Sequence, residues 1–237
     1  MFNKDIQPPF CQTDVTGSTG NLRVLNLYCG IGGNRKLWQN VDVTAVEYNK
    51  EIASIYEEYY PNDTVIVADA HEYLVNHYSE FDFIWTSPPC PSHTRMALNF
   101  ADAKAPDKRI VPKYPDMKLY QEIIFLDNFF KGKYCVENVI PYYEPLITPT
   151  VELERHLFWA NFKIPKYNFG SEKVDIVNMT GKSTNYGFNI SDKKIKHRKD
   201  QILRNLVNPE LGLYIFEQAN GILRQPKTNQ VSLFDEW

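Results

Sequence analysis

The sequence has few cysteines and no long apolar run. Its four cysteines, at positions 11, 29, 90 and 135, contain no CxxC pair, so we expect reduced thiols and no zinc or other metal site. No apolar stretch approaches the ~20 residues that a membrane helix needs, and the polar start MFNKDIQPPF is unlike a signal peptide. We therefore expect a cytoplasmic protein that does not span a membrane.

An excess of basic residues is also absent. The 26 Lys and Arg residues are outnumbered by 29 Asp and Glu residues, which gives a formal net charge of -3. Any contact with a nucleic acid must therefore come from a local basic patch. The 237 residues, 43% of them hydrophobic, are enough to bury a full core as one domain.

One stretch, Phe81 to Arg95, carries an apolar strand directly into the sequence SPPC. Pro88 and Pro89 end the predicted strand because proline lacks a backbone donor and has a fixed φ. Cys90 is thus expected at the carboxyl end of a buried parallel strand, where α/β proteins bind ligands. A thiol there is a candidate nucleophile, and the alternative is a small buried cysteine that only packs.

Two other strands end in polar or glycine-rich sequence. VLNLYCGIGG, from Val24 to Gly33, resembles a loop that approaches a nucleotide-type cofactor, and a helical pattern follows it over 34–40. Glu47 ends the next predicted strand about 20 residues later, where such folds bind ribose hydroxyls. Glu47 can also be a charge at a helix N-terminus, and Asp69, after the third strand, can cap a helix.

A later pair of elements repeats the strand pattern. A predicted amphipathic helix, Asp116 to Phe130, leads into the strand YCVENV, which places Glu137 at its end. The predicted inward face of the helix consists of Leu119, Ile123, Ile124, Leu126 and Phe130. Another strand is predicted over 156–162. A carboxylate such as Glu137 at a buried strand end is costly unless it has a partner or a function.

The motifs LYCGIGG, PPC and ENV occur in the order found in the C5-cytosine methyltransferase family, with about 50 residues between successive motifs. The chain resembles this family over Leu22 to Phe162 and again near its C-terminus. The resemblance implies a Rossmann-like class I S-adenosylmethionine-dependent α/β fold with a doubly wound, mostly parallel sheet. Alternating strands and crossovers in the sequence favour the same fold class.

The resemblance also implies roles for individual residues. Cys90 takes the place of the nucleophile, Glu137 that of the group that meets N3 of the cytosine, and Arg155 that of a group holding the base carbonyl. Glu47 would bind the ribose of S-adenosylmethionine, and Asp69 the adenine amino group. The other implied cofactor contacts are Tyr28, Gly30, Gly32, Gly33, Tyr48, Ala70, Pro88, Asn205 and Val207.

Double-stranded DNA is the expected partner, and two regions are candidates to contact it. The segment after Cys90 resembles a loop that closes over the reacting base, and KKIKHRK, from Lys193 to Lys199, is a basic run. The expected contacts are Ser92, Arg95, Lys104, Lys108, Arg109, Lys196 and Arg198. Both regions can equally be solvated surface.

The predicted organisation has five parts. They are an irregular lead-in (1–21), the catalytic and cofactor-binding domain (22–162), a small target-recognition region (163–203) with a hairpin or two, a returning C-terminal helix (204–224) and a tail (225–237). In the tail, Gln230, Leu233 and Phe234 resemble a peptide that docks on a DNA sliding clamp, the alternative being an apolar tail that packs on its own domain. We expect a monomer or a chain paired with a recognition subunit, of phage or mobile-element type.

Three alternative functions stay open. The short recognition region and SPPC followed by Thr94 and Arg95 also resemble the tRNA-methylating branch of the same family. TSPPC resembles the motif of amino-methyltransferases, which methylate an exocyclic nitrogen such as N4 of cytosine and need no nucleophilic thiol. A non-catalytic accessory protein that binds DNA or a clamp is the third, although the intact Cys90 and Glu137 argue against it.

Overall fold

The computed structural model describes residues 20–94, 114–169, 181–182 and 186–222. Within these ranges seven strands form one sheet, and five α-helices accompany it. The strands are β1 (Leu22–Leu27), β2 (Val41–Glu47), β3 (Thr64–Val67), β4 (Phe83–Thr86), β5 (Lys133–Val139), β6 (Val151–Leu153) and β7 (His156–Ala160). The helices are α1 (Lys50–Tyr59), α2 (Ala70–His77), α3 (Lys118–Phe129), α4 (Lys199–Arg204) and α5 (Pro209–Ala219), with a 3-10 turn at Tyr78–Glu80.

The strand order in the sheet is β3-β2-β1-β4-β5-β7-β6. Strands β1 to β5 are parallel, whereas β7 runs antiparallel to both of its neighbours. This confirms the predicted doubly wound, mostly parallel sheet. The order reverses between β1 and β4, so the loops that follow these two strands diverge and leave a crevice at the carboxyl edge of the sheet.

Alternating side chains of the central strands fill two cores, one on each face of the sheet. Phe83 and Trp85 of β4 point into a core that also contains Trp38 and Phe216, whereas Ile84 points into the opposite core. The strand is fully buried because both faces are covered, which explains its continuous apolar run.

The segment over 34–40 forms successive turns, so the prediction of a helix there was wrong. Two side chains engage long-range partners that a regular helix would not reach. Asn34 donates to Asn26 Oδ1 at 2.8 Å, and the indole of Trp38 donates to the Gly212 carbonyl at 3.1 Å and stacks on Phe216. Tertiary contacts thus override a weak local propensity.

Helix α3 confirms the predicted helix, but one residue of its predicted inward face was wrong. Leu119, Ile123 and Leu126 are buried, whereas Ile124 is 55% exposed. Because successive residues are rotated by about 100° around a helix, Ile124 lies beside the buried stripe rather than within it. Glu122 takes up an interior position instead and has no exposed surface.

Among the described residues, none of the helices has both the length and the apolar character required to cross a bilayer.

The close packing of α5 against the segment after β1 gives a stability prediction. A Cβ at Gly212 would lie 2.5 Å from the carbonyl oxygen of Asn34 and 2.7 Å from its Cα. Gly212→Ala should therefore lower the free energy of unfolding by about 1–3 kcal/mol through overpacking, although alanine has the better helix propensity. Urea denaturation measures the change.

Gln218→Ala, on the same helix, is the control and should stay within about 0.5 kcal/mol of the wild type. A Gly212→Ala chain as stable as the wild type would show that this helix does not pack tightly on Asn34.

Candidate active site

Three predicted motifs meet at the carboxyl edge of the sheet. Leu27 of β1 pairs with Thr86 of β4, and Thr86 pairs with Val136 of β5. The glycine-rich loop, the turn that carries Cys90 and the strand end that carries Glu137 are therefore on three adjacent strands. The parallel register brings together residues that are about 50 positions apart in the sequence.

Two sets of hydrogen bonds shape the turn that carries Cys90. The Cys90 carbonyl accepts from the backbone N–H groups of His93, at 2.9 Å, and Thr94, at 3.1 Å. The side-chain amide of Asn138 donates to the Pro88 carbonyl at 2.9 Å. Since Asn138 follows Glu137 directly, this bond ties the turn after β4 to the end of β5.

Charged groups around Cys90 act on its thiol in opposite directions. Burial and then the Glu137 carboxylate raise the pKa of Cys90, whereas the charge of Arg155 lowers it. Glu137 is 7% exposed, while Arg155 is exposed and donates to the Arg204 carbonyl at 2.9 Å. The thiol of Cys90 therefore lies within electrostatic reach of both Glu137 and Arg155.

A predicted cofactor residue, Glu47, lies against the glycine-rich loop. Its Oε2 accepts from Gly30 N at 3.1 Å and its Oε1 from Asn49 N at 2.9 Å. Burial raises the pKa of Glu47, and these backbone donors partly offset the effect. Each carboxylate oxygen retains a lone pair that can accept from a ribose hydroxyl.

The glycines of this loop have different environments. Gly30 has φ +54°, and no heavy atom lies within 4 Å of where its Cβ would be, so open space faces the backbone. A Cβ at Gly33 would lie 2.6 Å from the Val207 carbonyl, so the segment that contains Val207 supports the loop from behind. Gly32 is held in the same way, by the rings of Tyr56 and Tyr60.

The other predicted cofactor residues lie directly after β2, after β3 and at the end of α4. Tyr48 is 79% exposed and offers a free ring face beside Glu47. Asp69 caps α2 by accepting from Glu72 N, and this bond, followed by Lys118, holds the pKa of Asp69 below its ordinary value. Ala70 is buried at the start of α2, and Asn205 ends α4. These hydrogen-bond acceptors, together with the open space at Gly30, fit an adenosyl cofactor.

A buried carboxylate that the sequence reasoning missed joins three parts of this edge. Glu122 on α3 accepts from the hydroxyl groups of Tyr28 and Thr86, each at 2.6 Å, and lies 3.1 Å from Nδ1 of His71. The bond to Glu122 raises the pKa of His71. A charged residue amid the inward face of the predicted helix was the signal for such a site.

A second missed residue is His156, the first residue of β7. Its Nε2 lies 3.4 Å from Oε1 of Glu137. The imidazole is adjacent in sequence to Arg155, but in the structure it is the histidine that approaches the Glu137 carboxylate.

The predicted nucleic-acid contacts have mixed surroundings. Ser92 is 7% exposed and accepts from Asp116 N at 2.9 Å. In the basic run, Arg198 pairs with Asp200 at 2.7 Å, Lys193 pairs with Glu58, and the exposed Lys196 donates its backbone N–H to Glu51. The basic run thus packs partly on α1. Its contacts with DNA remain predictions.

Several predicted contacts lie outside the described residues. They are Arg95, Lys104, Lys108 and Arg109 in the segment after Cys90, and Gln230, Leu233 and Phe234 in the tail. Their roles in DNA and clamp binding also stay predictions.

Comparison with protein families agrees with this geometry. Residues 22–102 match the family model of the C-5 cytosine-specific DNA methylases. The match confirms the family that the three motifs predict, and it includes the glycine-rich loop, Glu47 and Cys90. The match supports the interpretation of the chain as a methyltransferase that uses S-adenosylmethionine. No curated protein sequence gives a significant match to the chain.

Solved structures similar to this chain include several methyltransferases. The Entamoeba histolytica methyltransferase EhMeth is 12% identical, with 86% of this chain and 99% of that chain covered and a TM-score of 0.48. A DNMT2 mutant from Spodoptera frugiperda is 25% identical, with 50% and 35% covered and a TM-score of 0.33. An Agrobacterium tumefaciens SAM-dependent methyltransferase is 15% identical, with 53% and 41% covered and a TM-score of 0.36.

The opposed charges around Cys90 predict its reactivity. Because burial and Glu137 raise the pKa of Cys90, its alkylation by iodoacetamide should be slow at neutral pH and accelerate as the pH rises toward and above the ordinary cysteine pKa. Arg155→Gln should slow the reaction by raising this pKa further, and Glu137→Gln should accelerate it. Mass spectrometry of the peptide that contains Cys90 gives the rates.

Cys29 and Cys135, both buried, should stay unlabelled in the folded chain and serve as internal controls. If both substitutions changed the Cys90 rate in the same direction, the electrostatic account of the thiol would be wrong.

Proposed function

We propose that the chain transfers a methyl group from S-adenosylmethionine to C5 of a cytosine in double-stranded DNA, with Cys90 as a covalent nucleophile. The observation that carries the proposal is the placement of Cys90 and Glu137 at the ends of neighbouring strands. The Asn138 bond to Pro88 locks these two strand ends together. A nucleophile and a carboxyl group on adjacent strand ends can act on two atoms of one pyrimidine ring.

The reaction needs both residues because C5 of cytosine is a poor nucleophile. When Cys90 Sγ forms a bond to C6, the π electrons between C5 and C6 become available at C5. A proton or hydrogen bond from Glu137 to N3 stabilises the negative charge that develops in the ring. After C5 has gained the methyl group, loss of its proton restores the double bond and releases Cys90.

The protonation state of Cys90 limits this chemistry. Because its pKa is raised, the thiol form dominates at neutral pH, and deprotonation must accompany or precede attack. The charge of Arg155 opposes this rise, so Arg155 assists formation of the thiolate in addition to its proposed contact with the base carbonyl.

S-adenosylmethionine, when bound, supplies an electrophilic methyl group. Glu47 would accept hydrogen bonds from its ribose, Tyr48 would pack on the adenine, and Asp69 would accept from the adenine amino group. Gly30 leaves room for the ligand beside the backbone. Pro88 and the segment with Asn205 and Val207 would complete the cofactor site.

DNA is proposed as the polymer because the matched family consists of DNA methylases. C6 is stacked inside a duplex, so the cytosine must be flipped out, at a cost of about a few kcal/mol that binding supplies. The intact pair of Cys90 and Glu137 favours C5 over exocyclic nitrogen chemistry, in which a cysteine at the stacking position would contribute little.

Identification of the methylated nucleoside tests the proposal. The purified chain is incubated with labelled S-adenosylmethionine and, separately, with mixed-sequence duplex DNA and with tRNA. The proposal predicts 5-methyldeoxycytidine in the DNA digest. N4-methyldeoxycytidine would refute the covalent mechanism. Label in tRNA alone would show that the substrate is RNA rather than DNA.

The role of Cys90 has its own prediction. Cys90→Ser should abolish methyl transfer, because serine is a far weaker nucleophile, while binding of S-adenosylmethionine measured by calorimetry stays unchanged. Cys11→Ser is the matched control and should retain activity. Near-normal turnover by Cys90→Ser would refute the covalent mechanism.

A further inference from the structure

His156 and Glu137 are brought together by the register of the antiparallel strands β5 and β7. His156 pairs with Val139, and Phe158 pairs with Glu137. Since side chains alternate along a strand, His156 and Glu137 lie on the same face of the sheet, on a diagonal between neighbouring strands. The Nε2···Oε1 distance is 3.4 Å, and the two side chains are only 8% and 9% exposed.

The other imidazole nitrogen of His156 indicates where the ring proton resides. In the described part of the chain, Nδ1 is buried and has no hydrogen-bond partner. A neutral imidazole has one N–H and one lone pair, and an unpaired buried N–H is costly. The proton is therefore better placed on Nε2, which faces Glu137 Oε1 at 3.4 Å.

The charges around His156 come from β5 and from the turn that precedes β7. Glu137 and Glu154 favour the protonated ring, whereas Arg155 and, above all, burial oppose it. The net effect lowers the pKa of His156. The ring thus meets Glu137 as a neutral donor, in contrast to the permanent charge of a lysine or arginine.

We propose that His156 is a positioning residue for Glu137, whose Oε1 it holds through Nε2–H so that Oε2 faces the target base. This inference rests on the proposed function and deepens it. A neutral donor fixes the carboxyl group without cancelling its charge, so Glu137 can still exchange a proton with N3 of the cytosine. Arg155 does not take this position, because its guanidinium donates to the Arg204 carbonyl.

Imidazole nitrogen NMR of the full chain tests the pairing without any need for activity. Comparison with the His156→Gln spectrum assigns the His156 signals among the five histidines. The proposal predicts the Nε2–H tautomer at neutral pH and, in Glu137→Gln, a further fall of the His156 pKa because a neighbouring negative charge is removed. An Nδ1–H tautomer, or His156 signals that Glu137→Gln leaves unchanged, would overturn it.

Kinetics test the positioning role. His156→Leu removes the donor and should lower kcat about 100-fold, as misplacement of a reacting group does, with little change in KM for S-adenosylmethionine. His156→Gln retains a donor near the position of Nε2 and should restore kcat to within about 10-fold of the wild type. Thermal melts of both variants establish that they are folded.

His77 provides the control, since its Nδ1 lies 2.7 Å from Oε1 of Glu80 at the end of α2, where the two side chains are 39% and 58% exposed. His77→Leu should leave kcat unchanged. A folded His156→Leu chain with normal kcat, or a His156→Gln chain as impaired as His156→Leu, would refute the proposal. A wild-type chain without methyl transfer would instead refute the proposed function. The NMR spectra would still show whether His156 is paired with Glu137.

Discussion

The hydrogen bond from the Asn138 amide to the Pro88 carbonyl is the constraint on which the geometry of the site depends. Two successive prolines end β4, and proline supplies no backbone donor, so the turn cannot be held by continued pairing of the strand. A buried side chain on the neighbouring strand does so instead. Because Asn138 directly follows Glu137, the same contact sets the position of the turn that carries Cys90 relative to the carboxylate.

The glycine-rich loop depends on a second set of contacts, supplied by the C-terminal part of the chain. The Val207 carbonyl lies where a side chain on Gly33 would have to be, and Gly212 of α5 packs on Asn34. Ile31 of the loop and Phe188 belong to one apolar cluster, which also contains Ile55 of α1. The loop is therefore packed against α1 as well. A loop that must leave room for a ligand on one side is thus fixed by close packing on the other.

Each of the three carboxylates of the site has at least one partner without a formal charge. Glu122 accepts from hydroxyl groups, Glu47 from backbone N–H groups, and Glu137 approaches a histidine whose burial favours the neutral form. Such donors stabilise a carboxylate without neutralising it. One consequence concerns Cys90, since the negative charge of the Glu137 carboxylate opposes ionisation of the thiol.

The sequence by itself determined the sheet type, the order of the three motifs and the positions of Cys90, Glu137 and Glu47 at strand ends. These features follow from local patterns, namely apolar runs that end in glycine, proline or a polar residue. Only the tertiary structure decided that His156 rather than Arg155 approaches Glu137, because strand register is set by pairing between distant segments. The same holds for the Glu122 network and for the turns over 34–40, where long-range hydrogen bonds and packing outweigh the local preferences of the chain.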